Sequence, residues 1–140
     1  MRRHYILRVS LKPLIPIIMV FGLYVQFHGD FGPGGGFQAG VIFAAGIILY
    51  ALIFGLRRAT ALFTQRGLEI LVAVGVLLYG MVGVASMALG GNFLDYDVLA
   101  KDHHDGQHYG ILLVELGVGF TVTAVMAGLF FLFAARRPAQ

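Results

Sequence analysis

The stretch Phe37–Leu56, FQAGVIFAAGIILYALIFGL, runs for twenty residues without a charge. A helix needs about 20 mostly apolar residues to cross the hydrocarbon core of a bilayer, so this run alone points to a membrane-spanning helix. Three further runs flank it: Leu11–Phe27 before, then Leu68–Leu89 and Ile111–Ala135 after. Composition agrees, with 59% hydrophobic and 12% charged residues among 140 and a mean hydropathy of +0.84. The expected fold is all-α: an integral membrane bundle of four transmembrane helices, approximately 11–27, 37–56, 68–89 and 111–135, in a single membrane domain covering residues 1–140.

The breaks between the runs set the orientation, because loops rich in Lys and Arg stay cytoplasmic. Arg2, Arg3, Arg8 and Lys12 precede the first run; Arg57, Arg58 and Arg66 lie between the second and third; Arg136 and Arg137 follow the fourth. Only Lys101 falls on the opposite side, where Asp30, Asp95, Asp97, Asp102 and Asp105 outnumber it. Both termini are therefore expected in the cytoplasm of a multi-pass protein of the cell (inner) membrane. Basic residues ahead of an apolar run also raise a cleaved leader; Pro13 and Pro16 interrupt that run, and no small-x-small site follows before His28. The pI near 9.5 reflects the basic rim, and no nucleic-acid partner is needed to explain it. The chain has no cysteine, which excludes disulfides and thiolate metal sites.

Small residues recur every four positions on the helices. Gly36, Gly40 and Ala44 form one stripe, Gly75, Tyr79 and Gly83 a second, and Gly117, Thr121 and Val125 a third. Close helix packing accounts for all three, since small residues let backbones approach inside lipid. Tyr24, Phe27, Phe31, Phe93, Tyr96 and Tyr109 fall near the outer boundary, where amphipathic rings favour the headgroup region.

Between the first two runs lies His28–Gly40, HGDFGPGGGFQAG. A phosphate loop would end in Lys and Ser/Thr, whereas Gly36 is followed by Phe37 and Gln38. A dinucleotide loop would need a soluble sheet beneath it. The segment is expected instead to be a tight interhelical turn, in which Pro33, Gly34, Gly35, Gly36 and Phe37 set the backbone and Gly40 continues the packing stripe. Three consecutive glycines exceed what a turn requires and suggest close approach by a helix, a partner subunit, or water and ions, with the turn partly re-entering the membrane.

Glu115 lies six residues beyond Tyr109, roughly 9 Å along its helix. An acid at that depth is costly in its charged form, and such residues usually face the bundle interior and mark ion or proton paths. A structural hydrogen bond to a neighbouring helix is the competing reading. Gly117 and Gly119 flank the acid, Gly119 leaving space beside it, and Thr121 and Thr123 offer hydroxyls lower down. Asp30 and His28, in the turn, join Glu115 as ion-path candidates. Glu69 is a further one, although an acid near a helix N-terminus and three residues from Arg66 has an ordinary interfacial explanation.

In the segment Asp102–His108, His104 and His108 would share a face if helical, as a metal pair requires. Gly106 argues against a helix there, so a solvated outer loop is expected, with a proton-collecting surface as the alternative. No metal and no cofactor are expected. No nucleophile, base and acid come together, so the chain is not read as an enzyme.

These residues also carry a resemblance. The run PGGGFQAGVI, Pro33–Ile42, and the element VELGVG, Val114–Gly119, set among four apolar runs, resemble the MnhB family of membrane subunits found in the multisubunit Na+/H+ antiporters of the Mrp or Mnh type. The resemblance implies an accessory subunit of a complex that exchanges Na+ or another monovalent cation for protons, contributing to assembly and to an ion or proton half-channel. Its implied partners are the other subunits of that complex, the lipid bilayer, and the transported Na+ and H+. Related subunits occur in membrane-bound respiratory, hydrogenase-like complexes, which is the alternative setting. Many relatives read Gly-His-Asn-x-Pro before the glycines. Here Gly29, Asp30, Phe31, Gly32 and Pro33 put an acid in the histidine's place, with His28 two residues earlier.

Overall fold

The computed structural model describes residues 9, 11–29, 32–96 and 103–135, those at 103–105 by their backbone alone. Among the described residues five helices follow one another: α1 Leu14–Phe27, α2 Gly36–Phe54, α3 Leu56–Leu62, α4 Gln65–Ala88 and α5 His103–Ala135. Every regular element among the described residues is α-helical except a single 3-10 position at Tyr96. Among the described residues three stretches are long and apolar enough to cross a membrane: Gly36–Phe54, Gln65–Ala88 and Gly106–Ala135. α1 is shorter, at 14 residues or about 21 Å.

Local chemistry explains where the helices begin and end. Pro13 occupies the N-cap of α1, and Pro16 falls in its first turn, where a missing N–H costs nothing. α1 therefore starts at Leu14, after a turn at Lys12 and Pro13. Gly55, with φ of 94°, ends α2 and caps α3, so Arg57 and Arg58 ride on a short helix instead of a loop. Thr64 caps α4, its side-chain oxygen accepting from the Gly67 N–H at 3.1 Å.

The largest departure from expectation is at α5, which begins at His103 and not at Ile111. Gly106 does not break it. Gly106 and Gly110 are both buried, and the Tyr96 ring lies against Gly110 so closely that an added Cβ would fall 2.6 Å from Cγ. Packing here outweighs the roughly 0.5–1 kcal/mol penalty of a mid-helix glycine. The helix places positions 104 and 108 one turn apart; no cluster of three or more metal-ligating side chains occurs among the described residues.

Helix order across the bundle is α1, α2, α5, α4, with α3 bridging the ends of α2 and α4. The glycine stripes mark the contacts. A Cβ at Gly40 would lie 2.8 Å from Val122 Cβ and 2.9 Å from the Gly119 carbonyl, joining α2 to α5. One at Gly117 would lie 2.7 Å from the Gly75 carbonyl, joining α5 to α4. Gly46 receives the end of Met19, and Gly22 faces Ile42 and Phe43, which seats α1 on α2. Gly83 departs from the pattern: its neighbour is the Phe93 ring, folded back from the α4–α5 connection. Phe93 and Tyr96 thus fill notches on α4 and α5, a packing role beside the interfacial one expected of them.

The apolar core of Ile47, Ala51, Ala59, Leu68, Ala124, Ala127 and Phe131 occupies the half of the bundle near Arg57 and Arg66. Lys12 Nζ sits 5.7 Å from the Phe54 ring centre, bringing the start of α1 to that same end. The glycine turn lies at the other end.

Candidate functional site

The turn between α1 and α2 is built around one carbonyl. Val25 O accepts from the Gly35 N–H at 3.2 Å and from the His28 N–H at 3.4 Å, folding residues 32–35 back over the end of α1. A Cβ at Gly34 would stand 2.7 Å from that oxygen. Gly35 has φ of 122°, a conformation open to glycine, and Gly36 opens α2.

Into this turn reaches Glu115. A Cβ at Gly29 would lie 2.6 Å from Glu115 Oε2 and 2.8 Å from Cδ, and one at Gly35 would lie 2.9 Å from Oε1. At Gly36 the obstacle is the α5 backbone itself, with Glu115 Cα 2.9 Å from the added carbon and its carbonyl oxygen nearer still. Three glycines from two sides of the turn therefore enclose one half-buried acid. The side chain points as helix geometry directs, back toward the N-terminus of α5 and so toward the turn.

One helical turn further along α5, Gly119 faces Gln26. A Cβ there would be 2.8 Å from Gln26 Oε1 and 3.4 Å from the Gly36 carbonyl. Gly119 therefore does not leave open space beside the carboxylate, because Gln26 fills it. Gln26 is 4% exposed, and its Nε2 has no hydrogen-bond partner among the described residues. A turn deeper, Thr123 Oγ1 donates to the Gly119 carbonyl at 2.7 Å and contacts the Gly40 carbonyl at 3.2 Å. Thr121 Oγ1 donates to the Gly117 carbonyl at 2.9 Å. Both hydroxyl protons are committed to backbone oxygens, as is common for Thr inside helices.

The other candidates divide. His28 stacks on Tyr24 with ring centres 5.0 Å apart, at the rim of the turn. Pro33 and Phe37 are exposed there. Asp30 lies outside the described residues, as do Phe31, Lys101, Arg2, Arg3, Arg8, Arg136 and Arg137. Glu69 is exposed at the opposite end of the bundle, beside a cavity lined by Gln65, Leu68, Val72 and Leu132. Since α4 begins at Gln65, Glu69 stands past its first turn, where the helix dipole acts little. Glu69 and Glu115 are not brought together.

Burial pushes the Tyr96 phenol up, and the neighbouring Tyr79 phenol adds to that, so Tyr96 is neutral at physiological pH. Gln26 is the residue that sequence reasoning passed over. Its signal was a lone long polar side chain, VQF, at the end of an otherwise apolar run.

Long apolar helices packed through glycine faces point to a multi-pass membrane protein. Comparison with known proteins narrows this class. The chain belongs to the family of domains related to the MnhB subunit of the Na+/H+ antiporter, whose model matches residues 6–128. A Staphylococcus aureus (strain Newman) protein that bears the name antiporter subunit mnhB2 is 32% identical over 128 residues, covering 86% of this chain and 87% of that protein. An uncharacterized protein of Methanocaldococcus jannaschii is 38% identical over 82 residues, 59% of this chain; the chain spans 31% of that longer relative.

Proposed function

We propose that this chain is an accessory subunit of a multisubunit Na+/H+ antiporter, crossing the cell membrane four times with both termini in the cytoplasm. In this reading its glycine faces hold it within the complex, and Glu115 forms part of an ion or proton half-channel opening at the glycine turn. The observation that carries the reading is the enclosure of the Glu115 carboxylate by Gly29 and Gly35, while Gly36 lets the α5 backbone at Glu115 approach the turn. An acid placed within a membrane bundle is costly and is usually kept for transport, and here Gly29 and Gly35 leave room for the carboxylate. Membership of the antiporter-subunit family supports the same reading.

The deciding experiment replaces Glu115 by Gln in the assembled complex and measures Na+-driven proton flux beside assembly. The expected result is a complex of normal composition that has lost most of its flux. Normal flux with normal assembly would remove Glu115 from the path and leave it a structural role.

A further inference from the structure

Burying an amide donor without an acceptor is costly, and buried polar atoms nearly always have a protein or water partner. Gln26 Nε2 is such a donor, at the end of a side chain 4% exposed. A cation cannot satisfy it, because an N–H requires an acceptor. A neighbouring subunit cannot easily reach it either, because the burial comes from this chain alone. The two threonine hydroxyls nearby are directed at backbone carbonyls. A buried water typically makes 2–4 hydrogen bonds, and the polar groups beside Gly119 are the Gln26 amide and the Gly36 carbonyl, with Glu115 one helical turn further out along the same helix.

We propose that Gln26 anchors a buried water beneath Glu115, and that this water is the next station of the proton path inward from the acid. The proposal rests on the reading of Glu115 as a path residue. A hydrated proton at this station passes one proton to the carboxylate, leaving a neutral water and a carboxylic acid, so charge and atoms balance. Gln26 is a positioning residue in this scheme: it touches the water and leaves the proton transfer to oxygen atoms. A side chain at position 119 would meet Gln26 Oε1 and push the amide from its place.

The test uses the whole antiporter complex, with Gln26→Leu and Gln26→Met as variants of similar bulk and Glu115→Gln in parallel. A cryo-EM map that shows ordered water should place a peak within hydrogen-bonding distance of Gln26 Nε2 in the wild type. The variants should assemble, lack the peak and lose most of their Na+-driven proton flux. A purely packed amide predicts the reverse, since Leu would then relieve an unpaired donor and raise the thermal stability of the complex without touching flux. A wild-type map without the water, or with Nε2 donating to a protein oxygen, overturns the proposal even if the variants fail to assemble. So does full flux in an assembled variant that has lost the water. Full flux in Glu115→Gln defeats the path reading itself, and with it the role given to the water, while the map still reports whether Gln26 binds one.

Discussion

Replacing Gly36 by Ala puts the close approach of α2 and α5 to a quantitative test. The new Cβ would lie 2.7 Å from the Glu115 carbonyl carbon and 2.9 Å from its Cα, against an optimal carbon–carbon separation of about 3.5–4.0 Å. Relief requires the two helices to part by about 1 Å, because the obstacle is helical backbone and not a side chain that can swing away. Overpacking costs about 1–3 kcal/mol where neighbours can adjust, so a cost near 3 kcal/mol is expected here. Gly128 on α5 supplies the control: its nearest neighbour would be Leu68 Cδ1 at 3.9 Å, an ordinary contact. Alanine there should gain about 0.5–1 kcal/mol from better helix formation. The two variants should therefore differ by about 3–4 kcal/mol, more than a hundredfold in an equilibrium constant. Thermal dissociation of the solubilised complex, followed by size exclusion with a fluorescent tag on this subunit, reads the difference. If Gly36→Ala dissociates no earlier than Gly128→Ala, the contact between the turn and α5 is not what holds the subunit together.

Gly35→Ala combines a φ of 122° with a Cβ 2.9 Å from Glu115 Oε1; strain of about 1–3 kcal/mol should displace the carboxylate, and an assembled variant with wild-type proton flux would contradict this. Because the chain has no cysteine, single cysteines report topology without background. Lys12→Cys and Arg58→Cys should react only from the cytoplasmic side and Asn92→Cys only from outside, whereas Lys12→Cys reacting with the outer set would mean that α1 does not cross. The Tyr96 phenol, raised by burial, binds its proton more tightly in the folded chain. Its contribution to stability is complete below the ordinary tyrosine value of about 10 and is lost as pH rises through the folded value. In an ultraviolet tyrosinate titration Tyr96→Phe should remove a late-titrating component, and an unchanged curve would place Tyr96 in solvent.

The long apolar runs made α2, α4 and the body of α5 legible, because length and hydropathy are local properties that the bilayer rewards directly. The glycine turn was legible as a turn, but not in its detail. Gly34 is dictated by Val25 O, Gly35 by its own φ, and Gly36 by the backbone of α5, and only the second of these is a local effect. The meeting of Glu115 with Gly29 joins residues far apart in sequence and leaves no periodic trace. Gly106 shows the converse error. Read locally it breaks a helix, and in place it lies buried within α5, where a smooth face also admits Tyr96 at Gly110. The same tertiary logic gives Gly119 to Gln26, so a glycine expected to leave room for the acid admits an amide instead.

The register of α5 separates a packing face from a polar one. Positions 117 and 121 face α4, where Gly117 meets the Gly75 carbonyl, the Tyr79 N–H and Leu78 Cβ, a contact of backbone and apolar atoms. Positions 115, 119 and 123 face α1 and α2, and there the groups are a carboxylate, an amide and a hydroxyl in succession. The next residues on that face, Ala127 and Phe131, are buried in the apolar core. From Glu115 to Thr123 the polar face extends about 12 Å along the helix, against a hydrocarbon thickness of about 30 Å. On the proposed reading, a path entering at the glycine turn therefore stops partway through this chain, and its continuation has to be supplied by another subunit. A complete path within this subunit would instead require ions to pass Ala127 and Phe131, so enlarging Ala127 to Leu should leave flux intact in an assembled complex. Flux abolished by Ala127→Leu without loss of assembly would show that the path runs through the apolar core and that the division between subunits is wrong.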